Sequence, residues 1–584
     1  MLENASETSE VGMCAEKLIR SSQPETETDE KTCDRTIRLR QKAAGIRWCP
    51  RLHLSHAEDG SLPTLTYYWS KLPADTSYNY YFFNITNRDE VMYQNAMPDL
   101  VEIGPYSYKE WEFKEGVQWL ENDNKIHFQN NKSFAYDQAN SCSYCTYKDM
   151  VTLPNAAYMS ILTLLNQNKA LPNIAVLTTI FDLLALLLGE QPMRTVPVAG
   201  ILYDSYNDPL IDLTTSNLTK MLAPDGKLLG VQLPDIEAMG YFPYYNHTND
   251  ETYKIHSGKA DVYKTGQIVE WAGNTSLAWW GDEYSASLEG SSDGSFNKAN
   301  LKKTDKIKMY QSYACRTFRM TYTDQDTVRG IKSYIYKLES FDYDTTIELN
   351  RGYRYENTEL VDYFPTWPCG ANHQYNGSCQ NTVDCTLSAN WCSSCCNGTH
   401  YKDQTVFMPP GVVPLRCLPG QKKRLPFAGF LSPPHFLQSP LEVTSSMRGV
   451  APDPELHEPA KFYINPLTGS TVKAAFRMQL VVPIYNRHNF LLSKRIRNAF
   501  LPSFWVDIKV DLKKYAINYI KTVTVIIPDI ALGIGIGLLV IGLSCILTTF
   551  LCAMRRTRRD AVQKFEVEPV PAISATQPKD DVWT

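Results

Sequence analysis

The chain has 584 residues, a formal net charge of −5 and 21% charged residues, so it lacks the basic excess of a nucleic-acid-binding protein. Hydrophobic residues make up 43% and aromatic residues 12% of the chain, which is ample for a packed core. We therefore expect a folded protein that has no nucleic acid among its partners.

The first 61 residues differ in composition from the rest of the chain. Residues 1–61 are polar and rich in Glu, Ser and Thr, and residues 1–60 contain no apolar stretch that could serve as a signal peptide or a transmembrane helix. This composition predicts a disordered segment. From about Leu62 the side chains become aromatic and β-branched, and Leu65–Trp69 and Tyr78–Ile85 predict strands.

Residues 155–166 and 173–188 have helical length and few helix breakers, and Pro172 separates them. Within the second segment Ile174–Leu188 is apolar nearly all round, but it is short for a bilayer span and carries Asp182 in its middle. Three interpretations stay open for it: a buried core helix, a second transmembrane helix, or an exposed apolar helix at a ligand or partner surface.

The remainder of the body has strand patterns, and no internal repeat interrupts it. Together these segments predict one large β-rich domain over residues 62–521, with inserted helices. The predicted strands are Ser107–Phe113, Lys125–Tyr136, Tyr253–Tyr263, Gln267–Trp271, Arg316–Tyr322, Ile331–Leu338 and Lys473–Ile484.

The cysteines are unevenly distributed. Seven fall between Cys369 and Cys417, a density typical of a disulfide-rich segment in an oxidising compartment. A zinc knuckle is the alternative for part of this cluster. Its ligands would be Cys392, Cys395 and Cys396, with His373 and His400 as further candidates.

Glycosylation sequons give an independent indication of the compartment. Seven N-x-[ST] triplets lie within residues 62–521 and none follows the apolar run at the end of the chain, which favours passage of this region through the secretory pathway; an eighth, at Asn4, lies in the polar amino terminus and is not counted. The candidate acceptors are Asn84, Asn131, Asn217, Asn246, Asn274, Asn376 and Asn397.

An uncharged run near the carboxyl end predicts a membrane anchor. Ile530–Met554 spans 25 residues without a charge, long enough as a helix to cross a hydrocarbon layer of about 30 Å. Four arginines follow within residues 555–559 and predict a cytoplasmic tail over 555–584. We assign 522–554 to the transmembrane helix and its juxtamembrane entry. Gly533 and Gly537 form a small-residue face that could support a homo-oligomer.

Catalytic signatures are missing from the sequence. It contains no P-loop, H-E-x-x-H motif or dinucleotide-binding fingerprint, and the glycine-rich Gly533–Gly537 lies in the predicted membrane helix. His435, His457 and His488 cannot be grouped from sequence, and we interpret each as structural. The prediction is a protein that is not an enzyme and uses no metal or other cofactor.

Several motif blocks occur in a shared order over residues 65–555. In order and spacing they resemble the class B scavenger receptor family, which includes fatty-acid and lipoprotein receptors and a lysosomal integral membrane protein. The blocks are Asn84–Asn87 with Glu90 and Val91, Gly104–Tyr108, Gly240–Asn246, Tyr253–Gly258, Trp279–Trp280, Pro434–Leu437, His457, Ile464–Gly469 with Arg477 and Gln479, and Leu501–Pro502 with Trp505.

The resemblance implies an α+β fold in which a large, antiparallel, barrel-like ectodomain carries an apical helical bundle and an internal tunnel. Both termini would be cytoplasmic, and the expected partners are the membrane, lipids (fatty acids, sterols and phospholipids), lipoproteins and other polyanionic ligands. A lined apolar conduit would lower the barrier that water presents to a lipid, at about 0.8 kcal/mol per methylene group. The candidate residues of the apical ligand region are Tyr158, Leu162, Leu165, Lys169, Ile180 and Leu184.

This sequence departs from the family pattern in three places. The amino-terminal membrane helix of the family has no counterpart in residues 1–60. A cysteine usual after the matching tryptophan is replaced in the run Trp280–Tyr284, whereas Cys315 and Cys417 keep the positions of a family disulfide. Additional cysteines leave the other pairings unassigned; they are Cys142 and Cys145, which can pair, and Cys369, Cys379, Cys385, Cys392, Cys395 and Cys396.

These observations predict a glycoprotein receptor that binds lipid or lipoprotein and transfers lipid to the membrane. Two alternatives remain: an adhesion or pathogen-recognition receptor without lipid flux, and a lysosomal-type receptor that sorts a luminal protein. Residues 555–584 have no match to the acidic dileucine signal of the lysosomal member. We therefore expect the plasma membrane with an extracellular ectodomain, and an endosomal or lysosomal membrane is the alternative.

Overall fold

A computed structural model gives the architecture of the chain. Its contacts divide the described residues into two units, one within residues 52–521 and one that contains residues 522–565. The predictions for residues 1–52, for the cysteines between 369 and 396 and for residues 566–584 lie outside the described part. The structure describes residues 53–565 except 168–173, 223, 229–230, 233–235, 237, 244, 346, 356–409, 424, 426–428 and 488–489.

The larger unit is built on a 14-stranded sheet that curls into a nearly closed barrel. Along the sheet the strand order is β10-β11-β12-β13-β16-β17-β18-β1-β2-β3-β8-β9, with β14 and β15 attached beside β17, and β4-β5 and β6-β7 form two small separate sheets. The strands are β1 (Ala74–Ile85), β2 (Leu100–Leu120), β3 (Lys125–Tyr136), β4 (Met150–Pro154), β5 (Met193–Pro197), β6 (Lys227–Leu228), β7 (Val231–Gln232), β8 (Thr248–His256), β9 (Ile268–Trp271), β10 (Ser291–Ser292), β11 (Ile307–Gln311), β12 (Arg316–Val328), β13 (Ile331–Leu338), β14 (Val413–Pro414), β15 (Phe430–Ser432), β16 (Ala460–Ile464), β17 (Thr471–Ile484) and β18 (Ala499–Leu512).

Both faces of the central strands are buried, and each belongs to a different hydrophobic core. Successive side chains of a strand point to opposite faces, so Phe82 joins one cluster and its neighbour Phe83 joins the other. Between β1 and β18 the pair Tyr81 and Trp505 lies directly opposite in register, and the rings stack with centroids 4.1 Å apart. Two-sided burial explains why these strands are so rich in aromatic residues.

Helices are inserted between the strands. Helices α3 and α4 pack against the second core through Tyr158, Leu162, Phe181 and Ala185, and the rings of Tyr158 and Phe181 lie 5.3 Å apart. The helices are α1 (Thr64–Ser70), α2 (Arg88–Gln94), α3 (Ala156–Gln167), α4 (Ile174–Leu188), α5 (Pro209–Thr215), α6 (Asn217–Leu222), α7 (Glu283–Ala286), α8 (Leu441–Ser445), α9 (Lys514–Lys521) and α10 (Ile527–Phe565).

The predicted α+β class with a β-rich barrel and inserted helices is confirmed, but two local predictions are wrong. The strand predicted over Tyr253–Tyr263 ends at His256, and Val262–Lys264 forms a 3-10 helix. Leu65–Trp69, predicted as a strand, belongs to helix α1. Pro63 precedes the helix, and Trp69 is buried edge-on against Phe128 at 5.0 Å. Tertiary packing of a large ring here overrides the weak strand preference of aromatic residues.

The second unit contains the predicted anchor. Within the described residues one helix, Lys514–Ala561, is long and apolar enough to cross a membrane. It runs from α9 through a π-helical turn at Thr522–Ile526 into α10. Its apolar side chains are exposed from Ile530 to Met554, as a segment surrounded by lipid requires.

Candidate functional site

Charged side chains face the inside of the barrel, where a core would place apolar ones. Glu110 and Lys114 on β2 and Asn130 and Lys132 on β3 are buried at alternating positions shared with inward aromatic residues. In the β2–β3 register Glu112 lies directly opposite Lys132. Opposite charges on facing positions form a cross-strand pair.

These groups form one connected network of ion pairs. Lys114 Nζ lies 2.7 Å from Glu112 and 3.3 Å from Asp293. Lys132 Nζ lies 3.2 Å from Glu112 and 3.5 Å from Glu110. Both lysines are therefore paired with carboxylates, and each of the three carboxylates has a cation within 4 Å.

Burial and ion pairing shift the pKa values of the two glutamates in opposite directions. Burial raises the pKa of Glu110 to about 7, against the attraction of Lys132. Burial acts on Glu112 as well, but Lys114 and Lys132 outweigh it and lower its pKa to about 2. At neutral pH Glu112 is charged, whereas Glu110 is close to its titration point.

A cavity of about 110 Å³ lies beside this network. Its polar wall comes from β2, β3 and β8, and the opposite wall is apolar and includes Phe476 on β17 with Ile508 and Leu512 on β18. The cavity is amphipathic, which suits a ligand with one polar end and one apolar end.

A second cavity, of about 380 Å³, adjoins the first. Leu72, Thr76, Glu110 and Glu112 line both, so the two spaces share a wall. The second cavity reaches the surface at residues such as Trp111, which is half exposed, and it is also lined by Lys71 and Lys513. Lys513 immediately precedes the first residue of the membrane-crossing helix.

The raised pKa of Glu110 makes a prediction about stability and pH. The folded protein holds this proton up to about pH 7 because Glu110 is buried. Unfolding exposes the side chain, which then titrates near pH 4.5. The folded state therefore binds more protons between these values, and its stability falls as pH rises through that window. Glutamine does not titrate, so Glu110→Gln should not lose stability in this way. The difference in unfolding free energy between the variant and wild type should therefore shift in favour of the variant, by up to about 3 kcal/mol between about pH 5 and about pH 7.5.

This comparison is made by thermal unfolding of both purified proteins at the two pH values. Glu115→Gln is the matched control, since Glu115 lies on the same strand but is exposed. A difference between Glu110→Gln and wild type that stays constant with pH would contradict the assignment of the titration to Glu110.

Helix α4 exposes an apolar stripe. Val176, Ile180, Leu183 and Leu187 follow at helical spacing, and each is about half exposed or more. On the opposite side Asp182 is buried and accepts a hydrogen bond from the Leu491 backbone N–H at 2.9 Å, and burial raises its pKa. The helix thus combines two of the three interpretations, because one face is core and the other is exposed.

The residues predicted for the apical ligand region divide between these faces. Ile180 is exposed and Leu184 is half-buried, whereas Tyr158 and Leu162 are fully buried and hold α3 to the barrel. Leu165 packs at the margin of the same core, and Lys169 lies outside the described residues. A ligand-facing role for the exposed members stays a prediction.

Two disulfides are present among the described residues. Cys315 is bonded to Cys417, and Cys142 to Cys145. Both tryptophans of the Trp279–Trp280 block donate their indole N–H to the Cys315 carbonyl, at 3.0 and 2.9 Å. The motif block therefore positions the backbone of the buried disulfide. Asp282, in the run without the usual cysteine, caps helix α7.

The sequon asparagines differ in their surroundings, and their glycosylation stays a prediction. Asn217 is exposed at the start of α6, and Asn274 is half-buried in a turn. Asn84 accepts a hydrogen bond from the Thr152 N–H, and Asn131 donates one to Glu115. Asn246 bonds to both backbone groups of Phe134. Asn376 and Asn397 lie outside the described residues.

The structure brings together two histidines that sequence could not group. The rings of His435 and His457 stack with centroids 4.0 Å apart, and His435 Nε2 donates to Glu102 at 2.6 Å. Their Nδ1 atoms accept backbone N–H groups of Ala451 and Asp453. Burial, reinforced by His435, lowers the pKa of His457 to about 4. Two stacked rings whose Nδ1 atoms each accept a backbone N–H are typical of structural histidines; His488 is not described.

Sequence reasoning missed the charged interior. Glu110, Glu112 and Lys132 lie in predicted strands and Lys114 follows one of them, but their burial was not predicted. The signal that could have found them is the alternation itself, because they fall on the same positions as Tyr106, Tyr108, Phe128 and Phe134.

A barrel with an amphipathic interior cavity, on a chain that continues into a helix able to cross a membrane, defines a membrane-anchored protein of the receptor or transporter type. The chain belongs to the CD36 family, whose model matches residues 59–553. The resemblance to class B scavenger receptors is thereby confirmed.

The relatives extend over most of the chain. An uncharacterised protein of Caenorhabditis elegans is 32% identical and aligns with 86% of this chain and 90% of its own length. Lysosome membrane protein 2 of Mus musculus is 25% identical over 82% and 85%. Sensory neuron membrane protein 1 of Pediculus humanus subsp. corporis is 23% identical over 78% and 77%.

Proposed function

We propose that this protein is a scavenger-receptor-type membrane glycoprotein that binds lipids, lipoproteins or other polyanionic ligands and passes lipid through its barrel to the membrane. The observation that carries the proposal is the pair of adjoining cavities, one amphipathic and interior, the other reaching the surface beside Lys513. Such a path would spare each methylene group of a lipid about 0.8 kcal/mol of exposure to water. No covalent step is part of this function.

The exposed stripe of α4, formed by Val176, Ile180, Leu183 and Leu187, is the proposed docking surface for the incoming particle. Its residues lie on one face at helical spacing, so a lipid surface can contact them together. The buried face, with Asp182 hydrogen-bonded to Leu491, keeps the helix attached while the stripe stays exposed. Docking and passage would therefore use different parts of the domain.

The membrane arrangement belongs to the same proposal. The ectodomain, residues 62–521, would lie outside the cell at the plasma membrane, with 522–554 in the bilayer and 555–584 in the cytoplasm. On helix α10 no atom lies within 4 Å of a Cβ built on Gly533 or Gly537, which leaves that face open to a second membrane helix. A homo-oligomer through this face is consistent with the proposal.

Docking and transfer can be separated in cells that express the full-length chain. Lipoprotein particles carry one label on their protein and another on a phospholipid, so that bound particles and transferred lipid are counted independently. Leu183→Glu should lower particle binding about tenfold, because it places a charge on the stripe. Thr76→Phe, which fills the wall shared by both cavities, should preserve binding and reduce lipid transfer.

Each variant has a matched control. Gln325→Glu adds the same charge to an exposed polar position of β12, away from the stripe, and Asp75→Phe adds the same ring on the outer face of β1. Lipid transfer no greater than in empty cells, despite surface display, would overturn the proposal. Normal binding without lipid transfer would favour an adhesion receptor, and retention inside the cell would favour a sorting receptor. Transfer that is insensitive to Thr76→Phe would show that lipid does not pass the wall shared by the two cavities.

A further inference from the structure

Three buried polar atoms at the interior cavity have no hydrogen-bond partner in the described part of the chain. They are Asn130 Oδ1, Asp250 Oδ1 and the Tyr310 hydroxyl, and each of these residues is 2% exposed. All three line the same cavity of about 110 Å³. A buried polar atom left without a hydrogen-bond partner is costly, so three at one cavity indicate a missing partner.

The position of Asp250 is fixed by its second oxygen. Oδ2 accepts hydrogen bonds from the hydroxyls of Tyr253 at 2.7 Å and Ser312 at 2.8 Å. The remaining oxygen, Oδ1, has no donor among the described residues. The carboxylate is therefore held by the fold with one oxygen available, as a ligand-binding carboxylate would be.

The charged residues around the cavity indicate whether the missing ligand is a cation or an anion. Glu110, Glu112, Asp250 and Asp293 line it, and among its described lining residues Lys132 is the single basic one. Lys132 is already within 4 Å of two glutamates. The unmade hydrogen bonds of Asn130 Oδ1 and Asp250 Oδ1 need a donor, and the excess of carboxyl groups favours a cation over an anion.

The apolar lining of the cavity indicates the chemistry of the rest of the ligand. Phe476, Ile508 and Leu512 offer apolar surface, and the adjoining cavity of about 380 Å³ extends the space past Leu72 and Thr76. Two acyl chains and a phosphate would exceed the smaller cavity, and the phosphate would meet the carboxylates. A single chain that ends in a small donor group fits both walls.

We propose that the interior cavity binds the protonated amine of a single-chain amphiphile, with the amine donating to Asp250 and Asn130 and the chain lying against β17 and β18. This inference rests on the proposed function, because it assigns the class of lipid that the barrel accepts. Burial raises the pKa of both Glu110 and Asp250, because it disfavours their charged forms, and an ammonium group that donates to Asp250 would offset this cost.

The test uses the full-length protein purified in detergent and three photoreactive probes with the same diazirine-bearing chain. The probes end in a primary amine, an alcohol or a carboxylate, and labelled peptides are mapped by mass spectrometry. On the unaltered protein the amine should half-saturate labelling of β17 and β18 at a concentration about tenfold lower than the alcohol, and the carboxylate should label least.

Variants then test the residues. Asn130→Leu, nearly isosteric, should weaken amine labelling about tenfold while thermal stability stays equal or rises, since it removes an unsatisfied acceptor. Asp250→Asn should weaken it as well, and Glu115→Gln, on the outer face of β2, should change nothing. A merely structural Asn130 would show the reverse, a loss of stability without a change in amine preference.

The outcomes separate this inference from the function on which it rests. Equal labelling by the three probes, or stronger labelling by the carboxylate, would overturn the amine site and leave lipid binding by the barrel intact. Failure of every probe to label the barrel of a normally folded protein would overturn both. Because the probe series needs no substitution, the test holds even if Asp250→Asn does not fold.

Discussion

Replacing both Cys315 and Cys417 with serine is expected to lower the free energy of unfolding by about 5 kcal/mol. The bond joins residues separated by 102 positions, so it removes the entropy of a long closed loop from the unfolded chain. The site is also fully buried, and two indole N–H groups converge on the Cys315 carbonyl. The measurement is the midpoint of thermal unfolding of the purified full-length protein.

The second disulfide provides the control for this prediction. Cys142 and Cys145 are separated by 3 positions, so the loop that their bond closes is short. Serine at both positions should cost about 2 kcal/mol by the same reasoning. Equal losses of stability in the two double variants would show that loop entropy is not the main contribution of the long-range bond.

Parts of the fold could be predicted because local signals there agree with the final packing. Helices α3 and α4 match residues 155–166 and 173–188 within a residue, since long runs without breakers on an apolar face favour helix in any context. Strands β3 and β13 match their predicted bounds. Leu65–Trp69 failed because its aromatic residues fit a strand locally, whereas burial of Trp69 against Phe128 needs a helix.

For the apolar candidate residues on α3 and α4, the sequence could not predict which side chains would be buried. Composition indicated a surface or a core but not which face of each helix would be covered. Tyr158 and Leu162 proved to be core residues, whereas Ile180 remained exposed on a neighbouring helix of similar character. Only the position of the second hydrophobic core, formed by strands far away in sequence, distinguishes them.

The interior network could not be predicted because its members lie on different strands. Glu112 and Lys132 become neighbours through the register of β2 with β3, and Asp293 joins them from the loop after β10. Each residue alone is an ordinary charged side chain in a strand. Their burial follows from closure of the barrel, which no short segment of the sequence encodes.

Lys132→Met is expected to destabilise the protein by about 3–5 kcal/mol at neutral pH. Methionine keeps much of the side-chain volume, but it removes the cation that lies 3.5 Å from Glu110 and 3.2 Å from Glu112. Glu112 retains Lys114 at 2.7 Å, so the loss falls on Glu110, which must stay charged without a partner or hold a proton that glutamate gives up in the unfolded chain. Lys125→Met is the control, because its partner Glu121 is exposed, and such pairs contribute at most about 1 kcal/mol.

Adding Glu110→Gln to Lys132→Met should restore most of the lost stability, because a neutral amide replaces the uncompensated carboxylate. Lowering the pH should also increase the stability of the single variant Lys132→Met. Without Lys132, burial holds the proton on Glu110 to still higher pH, so the single variant should regain stability as pH falls towards about 5. Thermal unfolding of wild type and the three variants at both pH values completes the cycle. A double variant as unstable as Lys132→Met at neutral pH would mean that the lysine stabilises the barrel by filling space, and that the interior charges are not coupled.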